Sequence, residues 1–258
     1  TAPHMRRPLC LLLLLLPACG EPIPSASMPH DRLSAEAEAL VQTMLTSDDL
    51  DARGAAYKQL ATLGPVVVPR MIQILDEDSG NDGNGAWAAE VLILLGPDAE
   101  PAMEALAQQL IETTECNATT STALLSIGKP AVPHLMRALS SEHPEARVWA
   151  VDALMKLAEH AGAAIPGIVK LLEDEDEDVR QAAVWALRDF GARAHPAATR
   201  KLLTMLGPDD EVDRSDVVDA LAAAVSTNEQ VRARLEALSK DDPDEYVRER
   251  AAGALTGE

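Results

Sequence analysis

The chain has 258 residues, with 22 Lys and Arg against 42 Asp and Glu, a formal net charge of −20, and 47% hydrophobic but only 2% aromatic residues. An apolar set made mostly of Ala, Leu and Val suits close helix-on-helix packing rather than a β-sandwich, and three Cys exclude a disulfide scaffold. The negative charge repels phosphate backbones and the few rings cannot stack a run of bases, so nucleic acid is excluded as the expected ligand.

Met5-Arg6-Arg7-Pro8 leads into an apolar run from Leu9 to Leu16 that contains Cys10, followed by Pro17-Ala18-Cys19-Gly20. A basic start, an apolar run too short to span a bilayer and a small residue before the break predict a secretory signal over residues 1–18. Translation is expected to start at Met5, after Thr1 to His4. Leu16-Pro17-Ala18-Cys19 resembles the lipobox of bacterial lipoproteins, although Pro17 departs from that pattern. The resemblance implies cleavage before Cys19, a lipid on Cys19 as membrane anchor, and a place in the bacterial cell envelope, at the outer membrane or the periplasmic face. The alternative is an ordinary signal peptide that contains a Cys. Residues 19–33 hold Pro22, Pro24 and Pro29 among Ser and Ala and read as a flexible tether. Cys116 is then the remaining free thiol, in an apolar and Thr-rich stretch that predicts a packed helix position.

The rest of the chain, residues 34–258, is periodic. Leu63-Gly64-Pro65, Leu95-Gly96-Pro97, Ile127-Gly128-Lys129-Pro130 and Phe190-Gly191 recur with a period near 32 residues, with Gly162 inside the longest gap. Pro69, Pro101, Pro133, Pro166 and Pro196 follow as a second series. Gly after an apolar run supplies the left-handed residue that closes a helix, and Pro pre-sets the first turn of the next. Each unit therefore reads helix, short turn, helix. Apolar residues fall at helical spacing between these signals, as in Val148, Val151, Ala153, Leu154 and Leu157. One such hairpin cannot bury both of its apolar faces, so neighbouring units must stack.

Aligned on these signals, Arg53, Arg147, Arg180, Arg214 and Arg248 occupy one equivalent position, which Gly85 and Asn117 take in the second and third units. The run Asp176-Glu177-Asp178-Val179-Arg180-Gln181-Ala182-Ala183-Val184-Trp185-Ala186-Leu187 resembles the first helix of HEAT repeats of the phycobilisome-lyase-like kind, and Tyr246-Val247-Arg248 with Ala251-Ala252 is close to it. The resemblance implies an all-α solenoid of about six and a half repeats, the last a half unit that stops at Leu255. It implies that the five arginines form a structural ladder, each bonding acidic or carbonyl groups of the adjacent unit. It also implies that the second helices line a concave surface. Four or five residues after the Pro that opens each second helix stand Arg137, Lys170, Arg200 and Lys201, with Gln73 and Ala105 in the earlier units. On that surface the four cations would form a basic stripe able to orient an acidic protein or peptide.

Catalytic signatures are absent from the sequence: no Gly-x-Ser-x-Gly elbow, no phosphate-binding Gly-rich loop and no His-Glu-x-x-His helix. His30, His134, His143, His160 and His195 are scattered rather than paired at metal spacing. The acidic segment 76–85 lacks the ligand positions of a calcium loop, and Glu173 to Asp178 reads as a solvated helix start. The expectation is therefore a non-catalytic lipoprotein scaffold that binds a protein or peptide, without metal, cofactor or nucleic acid. The alternative is an enzyme or enzyme accessory, because lyases that attach bilins carry similar repeats.

Overall fold

A computed structural model describes residues 33–78, 83–112, 117–191, 196–207 and 212–257. The expected signal and tether over residues 1–32 with Cys19, as well as Cys116, His195 and residues 79–82, lie outside the described residues. No β-strand occurs among the described residues. They form α1 (Ala35–Thr46), α2 (Leu50–Thr62), α3 (Val68–Glu77), α4 (Asn84–Leu95), α5 (Met103–Glu112), α6 (Asn117–Ile127), α7 (Val132–Ala138), α8 (Pro144–Lys156), α9 (Ile165–Leu171), α10 (Glu177–Phe190), α11 (Pro196–Thr204), α12 (Arg214–Ala222), α13 (Glu229–Asp241) and α14 (Glu245–Thr256).

The even-numbered helices, which are the first helices of the units, pack successively on one another from α2 to α14. The odd-numbered second helices form the other layer, in contact along α3, α5 and α7 and again along α9, α11 and α13. The chain is thus an all-α solenoid of two layers. Gly64, Gly96, Gly128 and Gly191 take positive φ at the ends of first helices, and Pro69, Pro133 and Pro166 stand in the first turns of α3, α7 and α9. Gly162 departs from this series. It has no positive φ and begins a 3-10 turn, Gly162–Ala164, after α8 has closed through Leu157.

Two features differ from the units as drawn from the sequence. The 3-10 segments Gly64–Val67 and Gly96–Ala102 separate the two helices of a unit, so each second helix packs most closely on the first helix of the following unit, as α3 does on α4 and α13 on α14. A further helix, α1, precedes the first unit, packs on α2 and α4, and buries Val41 and Met44. The core between the layers combines large aliphatics, among them Leu60, Leu92, Leu124, Leu154 and Leu187, with first-helix alanines such as Ala150, Ala153, Ala183 and Ala186. Small residues there let neighbouring first helices approach closely.

Gly85, which replaces the ladder arginine in α4, has a packing reason. Its N–H donates to Asp78 Oδ2 at 2.7 Å, Gln109 Nε2 donates to the same oxygen at 3.2 Å, and Thr120 Oγ1 donates to Gln109 Oε1 at 3.1 Å. A Cβ at Gly85 would collide with both the Gln109 amide and the Asp78 carboxylate. Gly85→Ala is expected to cost about 1–3 kcal/mol in urea unfolding by overpacking. Gly54→Ala, whose Cβ meets nothing within 4 Å, should instead stabilise α2 by roughly 0.5–1 kcal/mol.

Candidate partner-binding site

Four of the five ladder arginines, Arg53, Arg147, Arg180 and Arg248, point back to the loop that enters their own helix. Arg53 Nε donates to the Ser47 carbonyl at 2.5 Å, and Arg147 Nη1 to the carbonyls of Ser141 and Glu142 at 2.9 and 3.3 Å. Arg180 Nη1 reaches Asp174 and Glu175 at 2.9 and 3.1 Å, and Arg248 Nη1 reaches Asp242 and Pro243 at 2.7 and 3.2 Å. Arg147 and Arg214 also reach forward into the next unit, where Arg147 Nη2 meets Asp174 Oδ1 at 2.5 Å and Arg214 Nη1 meets Asp242 Oδ2 at 2.6 Å. Asp174 and Asp242 play the same part in their loops. Each carboxylate accepts an arginine of the preceding first helix and the backbone N–H two residues on, and each carbonyl accepts the next arginine. The acidic segment before α10 is therefore not simply a solvated helix start. Asp174 is enclosed with Arg147, their side chains 11% and 8% exposed, while Asp176 caps α10 through the Val179 N–H.

The four cations expected to form a basic stripe, Arg137, Lys170, Arg200 and Lys201, divide into two pairs. Arg137 on α7 donates to both oxygens of Glu104 on α5, at 2.9 and 2.7 Å, and Lys201 on α11 pairs with Glu173. Arg70 and Glu38 repeat the pattern between α3 and α1 at 3.2 Å. Lys170 and Arg200 are exposed and have no ion pair among the described residues. The Arg137 hydrogen bond holds the Glu104 carboxyl below its ordinary pKa of 4.5 against a smaller opposing effect of burial, with His134 Nδ1 3.4 Å away adding attraction. A carboxyl whose folded pKa is depressed stabilises the fold above its unfolded pKa and loses that contribution as pH falls through the folded value. The stability gap between the parent chain and Glu104→Gln is thus expected at neutral pH and should close under acid, which thermal unfolding across that range would measure.

The first-helix layer carries what sequence reasoning missed. All six aromatic side chains, Tyr57, Trp87, Trp149, Trp185, Phe190 and Tyr246, lie on even-numbered helices. Trp149, Trp185 and Tyr246 are 36%, 43% and 56% exposed. Between α8 and α10 is an open groove of about 270 Å³, lined by Trp149, Trp185, Val148, Glu145, Asp176 and Asp178 among others, with no basic residue in its wall. Trp185 is held across the layer, its Nε1–H donating to Asp216 Oδ2 on α12 at 2.8 Å beside Gln181 Nε2 at 2.7 Å. The signal that could have found this groove was the register. Trp149 stands two residues after Arg147, as Trp87 stands two after Gly85.

Among the described residues no group of three or more His, Cys, Asp and Glu is placed to hold a metal ion, and no helix is long and apolar enough to cross a membrane. A family model for HEAT repeats matches residues 132–222 and 165–256. No curated protein matches the chain. Among solved structures, the archaeal HEAT-like repeats protein from Thermococcus onnurineus NA1 is similar with a TM-score of 0.55 and 16% identity, over 88% of this chain and 97% of that one. The karyopherin Kap121p bound to the extreme C-terminus of the protein phosphatase Cdc14p is similar with a TM-score of 0.56 and 13% identity, over 85% of this chain and 29% of that one. Computationally designed armadillo repeat proteins for modular peptide recognition give 0.50 and 21%, over 84% and 98%. At these identities the likeness is one of fold.

Proposed function

From an all-α solenoid that carries HEAT repeats over residues 132–256, we propose a non-catalytic binding scaffold that holds a segment of a partner protein, tethered to the bacterial cell envelope through a lipid on Cys19. The observation that carries the binding role is the exposure of large aromatic surface on the first-helix layer. A chain with six rings leaves Trp149, Trp185 and Tyr246 substantially in water. Burying them in a core would be worth about 1.5–3 kcal/mol each, and exposed apolar surface rimmed by polar residues marks interaction sites. Lys170 and Arg200, unspent on ion pairs, are a second contact point on the other layer. Of the similar folds, one is described as designed for modular peptide recognition and one as bound to the extreme C-terminus of a protein phosphatase, which supports the reading by analogy.

The test is site-specific photo-crosslinking in cells, with the probe at Glu145 and Arg188 on the first-helix layer, at Lys170 and Arg200 on the second, and at Lys58 as control. A discrete adduct from one layer and not from Lys58 identifies the docking face and its partner by mass. Identical smears from every position remove the scaffold reading. The anchor is tested separately by globomycin sensitivity and detergent partitioning, and a Cys19→Ser chain that fractionates like the parent removes it.

A further inference from the structure

Resting on the scaffold reading, the geometry points to the chemistry of the partner: we propose that the groove between α8 and α10 seats a basic segment of a partner protein, with a Lys or Arg side chain lying over Trp149 and Trp185 and its charged head among Glu145, Asp176 and Asp178. Three observations converge on a cation. The wall holds two indoles and three carboxylates and no basic residue. Glu145 and Asp178 have no ion pair among the described residues, whereas other acids on the same layer are committed between repeats, Asp219 to Arg250 and Asp216 to Trp185 and Gln181.

The third observation is internal to the repeat. At Trp87 the chain supplies the cation itself, for the Arg53 guanidinium of the preceding first helix lies 6.0 Å from the ring centroid. Trp149 holds the equivalent position in α8, but the residue equivalent to Arg53 in the preceding first helix is the uncharged Asn117. No cation lies over Trp149 or Trp185 among the described residues. The register that satisfies Trp87 from within therefore leaves Trp149 to be satisfied from outside. Trp185 is also prepared for a cation. Its N–H is already bound to Asp216, which holds the indole in place while the residue stays 43% exposed at the groove. An acidic segment would meet three carboxylates here, and a chain of net charge −20 steers basic partners toward itself at long range.

The experiment measures binding to the intact full-length protein by fluorescence anisotropy, using three labelled, capped ten-residue peptides in which Ser alternates with Lys, Glu or Leu. The Lys peptide is expected to bind at least about tenfold more tightly than the other two, and Trp149→Ala and Trp185→Ala are each expected to weaken it about tenfold. Glu145→Gln with Asp178→Asn should weaken it and flatten its salt dependence, while the Trp variants should leave the salt slope unchanged. Lys-peptide binding that is indifferent to both Trp variants would mean attraction by net charge alone and would overturn the proposal. Trp-dependent binding that prefers the Leu peptide overturns the basic chemistry but leaves the docking face standing. No peptide binding combined with no adduct at Glu145 removes both.

Discussion

Arg147→Met is expected to lower the unfolding free energy by about 3–5 kcal/mol, the range for breaking a buried ion pair by removing one partner. Arg147 fastens three segments at once: the loop before α8 through the Ser141 and Glu142 carbonyls, α8 itself, and the loop before α10 through Asp174. Removing the guanidinium leaves an enclosed carboxylate without its cation and a buried loop carbonyl without its donor. Asp174 retains only the Asp176 N–H, at 3.1 Å. The double variant Arg147→Met with Asp174→Leu should recover a large part of the loss, because the uncompensated charge is gone. Urea denaturation of the two single variants and the double closes the cycle, and a loss below about 1 kcal/mol for Arg147→Met would falsify the clamp.

Leu154→Asp is expected to unfold the middle of the solenoid. Leu154 is fully buried in α8, which packs on α6, α7 and α10. Truncating such a leucine costs about 2.7–5 kcal/mol, and a carboxylate in the space left behind adds its desolvation. The sum rivals the whole stability of a domain, about 5–15 kcal/mol. Each repeat touches only its neighbours, so loss of α8 separates the repeats before it from those after it, and a single urea transition should split in two. Burial raises the pKa of the new carboxyl in the folded state, so its extra penalty is present above that folded value and shrinks as pH falls through it. Leu154→Asn lacks that dependence. Retained cooperative unfolding near the parent midpoint would show that Leu154 is not a core residue.

Much of the fold was legible because its determinants are local. A Gly that must take positive φ and a Pro that must open a helix act within a few bonds of backbone, and the chain repeats that punctuation about every 32 residues. Gly162 misled because it matched the series in composition while the turn after α8 was made by other residues. The extra helix α1 carries neither the Gly nor the ladder Arg, so the repeat signature passes over it.

The candidate site was much less legible. Arg137, Lys170, Arg200 and Lys201 could be placed on second helices by register, but not the acids that meet Arg137 and Lys201 from the preceding repeat. Nor could the forward pairing of Arg147 with Asp174 and Arg214 with Asp242, although each acid stands six residues before the next ladder arginine.

The sequence by itself determined the repeat period, the order of the helices and which residues share a face, since these follow from backbone chemistry and helical spacing within one unit. Only the stacking decided which cations are neutralised, which carboxylates are left unspent and which indoles remain in water. Those are contacts between residues roughly thirty apart in adjacent repeats, where one exchanged residue, such as Asn117 in the place that Arg53 holds, changes what the neighbouring repeat must find elsewhere.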